Sequence, residues 1–318
     1  MKKSNISEFD MVVNGVTLRF RKYEGKKKSD PIVLIHGLSG NLQFMNRLAD
    51  VLQVLDCDIY SYDLRGRGRS DKPRGIYDAE VHAKDLLAAI DLLGLGRIRI
   101  VAHSLGAWVS LAFAKLAGER LSKLILLDGA GIQPVSRKLR NLNMVRLSLS
   151  RMGRFFTSKE EYFKEIADSP FLTSWNKKIE QMFDYELSGR FRDGVGGLEC
   201  NIPLYVMEAE LNSLGGSLTN KGLLLGLFLH PIDFFLKMKK NNHLPYASVS
   251  APTLVVRAMR ANLKYGDEML PDPSYSRILK EIPNARGLTL HEYNHYQFII
   301  EDCPVLDREM VSFLEDSY

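Results

Sequence analysis

The chain has 318 residues, of which 45% are hydrophobic and 25% charged, the make-up of a folded globular protein and not of a disordered or fibrous one. Its 43 Lys and Arg against 38 Asp and Glu leave a formal charge of +5, too small a bias to point to nucleic acid as a partner. The cysteines Cys57, Cys200 and Cys303 are widely spaced and odd in number, which fits free thiols in a reducing compartment; no run reaches the ~18 apolar residues of a membrane-spanning helix, so a cytoplasmic protein is expected.

In chain order, "MKKSNISEFDMVV" lacks the apolar stretch of a signal peptide. "VTLRFRKYEG" from Val16 has a period of two and reads as an exposed-edge strand. "PIVLIHG", "CDIYSYD", "IRIVAHS", "LSKLILLD" and "APTLVVRA" are short, continuous aliphatic runs, the pattern of strands buried on both faces. Helical patterns lie between them: Leu42 to Leu55, then "DAEVHAKDLLAAIDLLG" with Asp78 as N-cap and Gly94 as stop, then the run after Ser104. Such alternation makes a parallel sheet covered by helices. From Ile132 to about Ser250 the pattern turns helical and strand-poor, an insertion, before "APTLVV" resumes the strand rhythm and Pro304 to Glu315 closes the chain with a helix.

"RIRIVAHSLGAWVSLAFAKLA" passes from strand to helix through one serine. Such a turn forces a strained backbone, at roughly 1–3 kcal/mol, and needs small neighbours, here Ala102 and Gly106. It lifts the Ser104 hydroxyl clear of the sheet and aims the helix N-terminus at the same spot. An N-capping serine on a buried helix is the bland alternative for this stretch alone. Three further features stand at strand ends: His36-Gly37 in "VLIHGLSGN", where Gly37 lets the backbone approach a ligand and Leu38 N–H can face the site; "DLRGRGRSD"; and "EYNHYQFIIED" with His295 before the last helix.

On these residues the chain resembles an α/β-hydrolase of the serine esterase-like group: strand-H-G-x, D-x-R-G-x-G-x-S, small-x-Ser-x-Gly with Ala102 in place of the first glycine, and a histidine near the carboxyl end. The resemblance implies a mostly parallel eight-stranded sheet flanked by helices, with a helical cap inserted after strand 6. The core would comprise residues 1–131 and 251–318 and the cap 132–250. It implies Ser104 as nucleophile, His295 as the base that activates it, and the backbone N–H groups of Leu38 and Leu105 as the oxyanion hole. For the acid it points to Asp267, since "GDEMLP" matches the family's aspartate followed four residues later by proline, with Asp128 at the end of "LILLD" the main rival. His36, Gly37 and His103 beside the turn and Phe228 in the insertion are the candidate substrate contacts; both histidines also read as structural parts of their motifs.

The implied reaction is hydrolysis of a carboxylic ester or lactone, with carbon–carbon bond hydrolysis or a ligand-binding role as alternatives. No metal or other cofactor is implied: the histidines are scattered, no H-E-x-x-H occurs, and "DLRGRGRSD" lacks dinucleotide-loop spacing. The partner is a small molecule, and the protein a monomer or homodimer. The cap is rich in apolar side chains, Met144, Met152, Phe155, Phe156, Phe171, Trp175, Leu223 to Leu225, Phe228, Phe234 and Phe235 among them; these suggest packing core plus the walls of a medium-sized apolar pocket. "GLLLGLFLH" reads as a buried helix or pocket wall. Between Gln133 and Lys159, Arg137, Lys138, Arg140, Arg146, Arg151, Arg154 and Lys159 meet no acid and share the stretch with helically spaced apolar residues. That pattern allows contact of 135–159 with an anionic membrane surface, or a plain cap helix with a solvated basic face.

Overall fold

The computed structural model describes residues 5–132, 135–232, 236, 243–263 and 266–315. Eight strands form one sheet: β1 (Ile6–Val13), β2 (Val16–Tyr23), β3 (Ile32–Ile35), β4 (Ile59–Tyr62), β5 (Ile98–His103) and β6 (Leu121–Leu127), then β10 (Thr253–Ala258) and β11 (Ala285–Leu290). Their spatial order is β1-β2-β4-β3-β5-β6-β10-β11. The β1–β2 and β2–β4 pairs are antiparallel and every other pair is parallel.

The aliphatic runs are buried on both faces, as their lack of alternation requires. Val33 and Ile35 join the cluster under α2 (Ala79–Leu92) and α3 (Leu105–Ala117), while Ile32 and Leu34 join the cluster under α1 (Asn46–Leu52) and the last helix. Asp78 caps α2 through its side chain, accepting from Val81 N at 2.8 Å, and Gly94 ends it at φ +64°. The β2 expectation needs correction. β1 is the sheet edge, and β2 lies inside it with Val16, Leu18 and Phe20 buried. The turn between them is Asn14-Gly15, both at positive φ (48° and 75°), the pairing a tight hairpin demands.

Between β6 and β10 the chain forms α4 (Val135–Ser148), β7 (Phe155–Phe156), α5 (Lys159–Ala167), α6 (Lys177–Asp184), β8 (Leu187–Arg192), β9 (Val195–Cys200), α7 (Leu204–Ser213) and α8 (Asn220–Leu229). The insertion is therefore not strand-poor throughout. β7, β9 and β8 make a small antiparallel sheet whose hairpin turns at Asp193-Gly194, with φ of 50° and 82°. After β10 follow α9 (Asp272–Glu281), β11, α10 (Gln297–Ile300) and α11 (Pro304–Glu315).

The register delivers the site. His103 pairs with Leu127, and Leu127 with Val256, so the residues just past these strand ends, Ser104 and Asp128, are neighbours at the carboxyl edge. Ser104 N donates to Leu127 O at 2.9 Å and Asp128 N to Val256 O at 2.8 Å, which locks the two turns to the sheet.

Candidate active site

Ser104 has φ 53° and ψ −113°, the strained conformation the strand-to-helix turn was expected to impose. Small neighbours make it possible. A Cβ on Gly106 would sit 2.5 Å from Ile35 O, and one on Gly129 2.3 Å from Ser104 O. α3 begins at the next residue, so its unsatisfied N–H groups lie beside the hydroxyl.

His295 Nε2 lies 3.0 Å from Ser104 Oγ, and His295 Nδ1 lies 2.7 Å from Asp128 Oδ2. An ionised carboxylate only accepts, so Nδ1 carries the hydrogen and Nε2 is free to accept from the serine. Asp128 stands at φ 46° just past β6, and its other oxygen accepts from Ala258 N at 3.1 Å. His295 and Asp128 are almost fully buried, at 3% and 0% exposure.

The carboxylate against His295 is thus that of Asp128, not Asp267. Asp267 Oδ1 and Oδ2 accept from the backbone N–H groups of Asn262 and Leu263, at 2.8 and 2.7 Å, inside the loop after β10. It reaches the histidine through a second residue: Asn262 Oδ1 accepts from His295 N at 3.1 Å, and Asn262 Nδ2 donates to Asp267 O at 3.2 Å. The loop after β10 folds back on its own aspartate, and the carboxylate against His295 comes from the end of the neighbouring strand.

A cavity of about 390 Å³ opens onto Ser104 and His295. Gly37, Leu38, Leu105 and His103 line it, with Trp108, Leu142, Val145, Leu211, Leu214 and Leu223 as apolar walls. A Cβ on Gly37 would stand 3.1 Å from Ser104 Cβ, so that glycine is the close approach read from the sequence. His103 touches the cavity, but its Nε2 donates to His295 O at 3.0 Å; burial and the neighbouring His295 hold its pKa well below the usual value, so it works as a neutral brace. His36 is not a cavity residue. Its buried ring links Gly37 O (2.8 Å) with Leu64 N (3.1 Å), and burial pushes its pKa down to about 3. Phe228 is 75% exposed and does not reach the cavity; of "GLLLGLFLH", Leu223 faces inward while Leu224, Leu225, Phe228 and Leu229 face out. Phe234 and Phe235 lie outside the described residues.

The basic stretch of the insertion is largely committed to partners. Arg137 pairs with Glu268 at 2.8 Å, Arg146 donates to Ser217 O at 2.8 Å, Arg151 is buried against Glu186, Arg154 pairs with Glu165 and Lys159 with Asp184. Arg140 donates to Gly266 O at 3.2 Å, and the Lys138 side chain lies outside the described residues. The acids come from other elements, which is why no sequence window of this stretch showed them, and each of the described cations named above has a carboxylate or carbonyl partner.

A family model for the alpha/beta hydrolase fold matches residues 30–302. The chain belongs to that family. Among curated relatives, this hydrolase-fold protein is 34% identical over 127 residues to the uncharacterized protein Rv2715 of Mycobacterium tuberculosis, covering 36% of each chain. It is 30% identical over 125 residues to esterase YbfF of Escherichia coli, covering 39% of this chain and 47% of that one. The match thus spans between a third and a half of these relatives' length. Solved structures agree in fold along nearly the whole chain. E-2-(acetamidomethylene)succinate hydrolase superposes with a TM-score of 0.71 at 16% identity, over 98% of this chain and 100% of that one. An alpha/beta hydrolase from Novosphingobium aromaticivorans gives 0.68 at 19% identity, over 99% of each. The thioesterase domain of the curacin pathway gives 0.66 at 17%, over 98% and 100%.

Sequence reasoning missed the groups that hold the His295 loop of this hydrolase-fold protein. Asn294 Oδ1 accepts from Tyr296 N and Gln297 N, both at 2.9 Å, and Gln297 Oε1 accepts from Asn294 N at 3.0 Å. This is the reciprocal bonding of a capping box, and "NHYQ" carried the signal for it in its Asn-x-x-Gln spacing. Asn262 carried no such local signal, because its partner His295 lies 33 residues away.

Proposed function

We propose that the protein is a serine hydrolase cleaving carboxylic ester or lactone bonds, with Ser104 as nucleophile, His295 as general base and acid, and Asp128 as the group that orients and stabilises the imidazolium. The observation that carries this reading is the hydrogen-bonded chain Ser104–His295–Asp128 at 3.0 and 2.7 Å, opening onto an apolar cavity. Ser104 Oγ attacks the substrate carbonyl carbon as its proton passes to His295 Nε2. The oxyanion is met by the N–H groups of Leu38 and Leu105, both beside the serine at the cavity wall. His295 then protonates the departing alkoxide; water, deprotonated by the same nitrogen, attacks the acyl carbon, and the proton passes from Nε2 to Ser104 Oγ as the acid leaves. A cavity of about 390 Å³ with largely aliphatic walls suits a small to medium apolar substrate. The name of the E. coli esterase relative supports the same class. Three free, buried cysteines support a cytoplasmic setting.

The test is hydrolysis of p-nitrophenyl esters from acetyl to dodecanoyl by wild type and Ser104→Ala, with fluorophosphonate labelling alongside. Turnover and labelling by wild type alone are expected, with a preference for intermediate chain lengths. Equal turnover by both proteins would remove Ser104 from the chemistry, and no turnover or labelling by wild type would overturn the esterase reading.

A further inference from the structure

The turn that carries Leu38 is held from outside the cavity by two buried arginines, and each arginine is held by a buried glutamate of the insertion. Arg67 Nε donates to Leu38 O at 3.2 Å, and its Nη2 pairs with Glu210 Oε2 on α7 at 2.7 Å. Arg151 Nη2 donates to Ser39 O at 3.2 Å, and its guanidinium grips both oxygens of Glu186, between α6 and β8, at 2.5 and 3.0 Å. Arg67, Glu210 and Glu186 have no exposure and Arg151 has 8%. The preceding carbonyl, Gly37 O, accepts from Gly40 N at 3.2 Å and from the His36 ring. All three carbonyls of the turn are therefore bonded to groups that do not line the cavity, except for Gly40, which closes the turn itself.

A peptide unit is rigid, so Leu38 N–H is aimed by Gly37 O, which Gly40 N and the His36 ring hold; Arg151 on Ser39 O fixes the unit that carries that Gly40 N–H, and Arg67 on Leu38 O fixes the unit between the two. Preorganised N–H donors stabilise an oxyanion because they need no reorientation during the reaction. Each buried arginine also needs its carboxylate, since an unpaired charge in this setting is prohibitive. Burial pushes the Glu210 carboxyl up, but His82 at 2.9 Å and Arg67 outweigh it and hold the pKa down at about 2, so the carboxylate stays charged.

We propose that Arg67–Glu210 and Arg151–Glu186 are a pair of positioning clamps through which the insertion sets the oxyanion-binding turn Gly37–Gly40. The insertion is then part of the machinery for transition-state binding, and it stays seated on this turn during turnover. The inference rests on the serine-hydrolase reading, because it assigns Leu38 N–H to the oxyanion.

The test uses Arg67→Met/Glu210→Gln and Arg151→Met/Glu186→Gln. Each removes both charges of a pair, and the glutamine leaves an acceptor for His82 or for Tyr162, which donates to Glu186. Arg67→Lys is the milder companion: it keeps the ion pair, but its single ammonium lacks the fork that reaches Glu210 and Leu38 O together. The expected result is a kcat lower by about 10- to 100-fold with KM changed less than about twofold, the scale of a weakened oxyanion donor. Affinity for a trifluoromethyl ketone, which forms an oxyanion on Ser104, should fall by the same factor, and affinity for an ether of equal size should not. Variants that lose melting temperature but keep kcat and ketone affinity would make the pairs structural and overturn the proposal; should the double variants not fold, unchanged kcat and ketone affinity in Arg67→Lys would do so for that clamp. A wild type that neither hydrolyses esters nor reacts with fluorophosphonate would instead remove the serine-hydrolase reading, and this inference with it.

Discussion

Asp128 and Asp267 are both buried aspartates close to the carboxyl edge of the sheet, yet their hydrogen bonds differ in kind. Asp128 gives one oxygen to the imidazole and the other to the backbone of β10; Asp267 spends both on the backbone of its own loop. Asp128→Asn should therefore lower turnover by ~10³–10⁴, because an amide cannot stabilise the imidazolium and favours the wrong tautomer. Asp267→Asn replaces one backbone acceptor with a donor and loosens the loop that holds Asn262, so it should keep more than a tenth of wild-type activity. Parallel kcat measurements on the two variants decide between them; a greater loss in Asp267→Asn would return the acid to that residue. That Ser104 and His295 stand together was legible in the sequence because each sits in a local pattern, a one-residue strand-to-helix turn and a loop histidine before the last helix. Which carboxylate stands against His295 was not, because two aspartates follow adjacent strands, and the choice depends on how the 13-residue connection 259–271 folds, which no local spacing records.

At the scale of elements, the parallel strands were legible because burial on both faces forces continuous aliphatic runs, and their ends located the site. The antiparallel additions were harder. β1 reads "ISEFDMVV", with mostly exposed side chains and weak alternation, and β8–β9 reads as polar and glycine-rich. In both hairpins the informative signal was the turn dipeptide, Asn14-Gly15 and Asp193-Gly194, more than the strands around it. Glycines at the two kinds of position should respond differently to a methyl group. At Gly15 a Cβ meets nothing within 4 Å, so Gly15→Ala costs only the positive-φ strain, about 1 kcal/mol. At Gly106 the Cβ would meet backbone oxygen at 2.5 Å, and α3 must shift away from β3, which should cost about 3 kcal/mol or more and displace Ser104. Urea denaturation of both variants tests this, with ester turnover for Gly106→Ala; equal stability losses would mean the strand–helix approach is not tight.

For the whole molecule, the buried ionisable groups that tie the carboxyl edge together set how the fold responds to acid. Burial holds His36 near a pKa of about 3 and His103 well below its usual value, so both are neutral in the folded state. The unfolded chain takes up a proton on each near pH 6.5 and binds more protons below it, so stability falls on acidification by about 1.4 kcal/mol per pH unit per histidine. Asp63 acts in the opposite direction. Burial raises its carboxyl to about 6 despite its bonds from Arg69 N, Leu42 N and Tyr185, so between pH 6 and its usual value the folded state holds the extra proton. Two losses against one gain leave a net decrease, roughly 2–3 kcal/mol between pH 6.5 and 5. Urea midpoints measured across this range should fall with pH. His36→Gln, whose amide can still bridge Gly37 O and Leu64 N, should flatten the slope by about one proton while lowering stability at pH 7 only modestly. An unchanged slope in that variant would mean that His36 is charged in the folded protein, and the bridge at the base of the Gly37–Gly40 turn would have to be redrawn with both ring nitrogens donating.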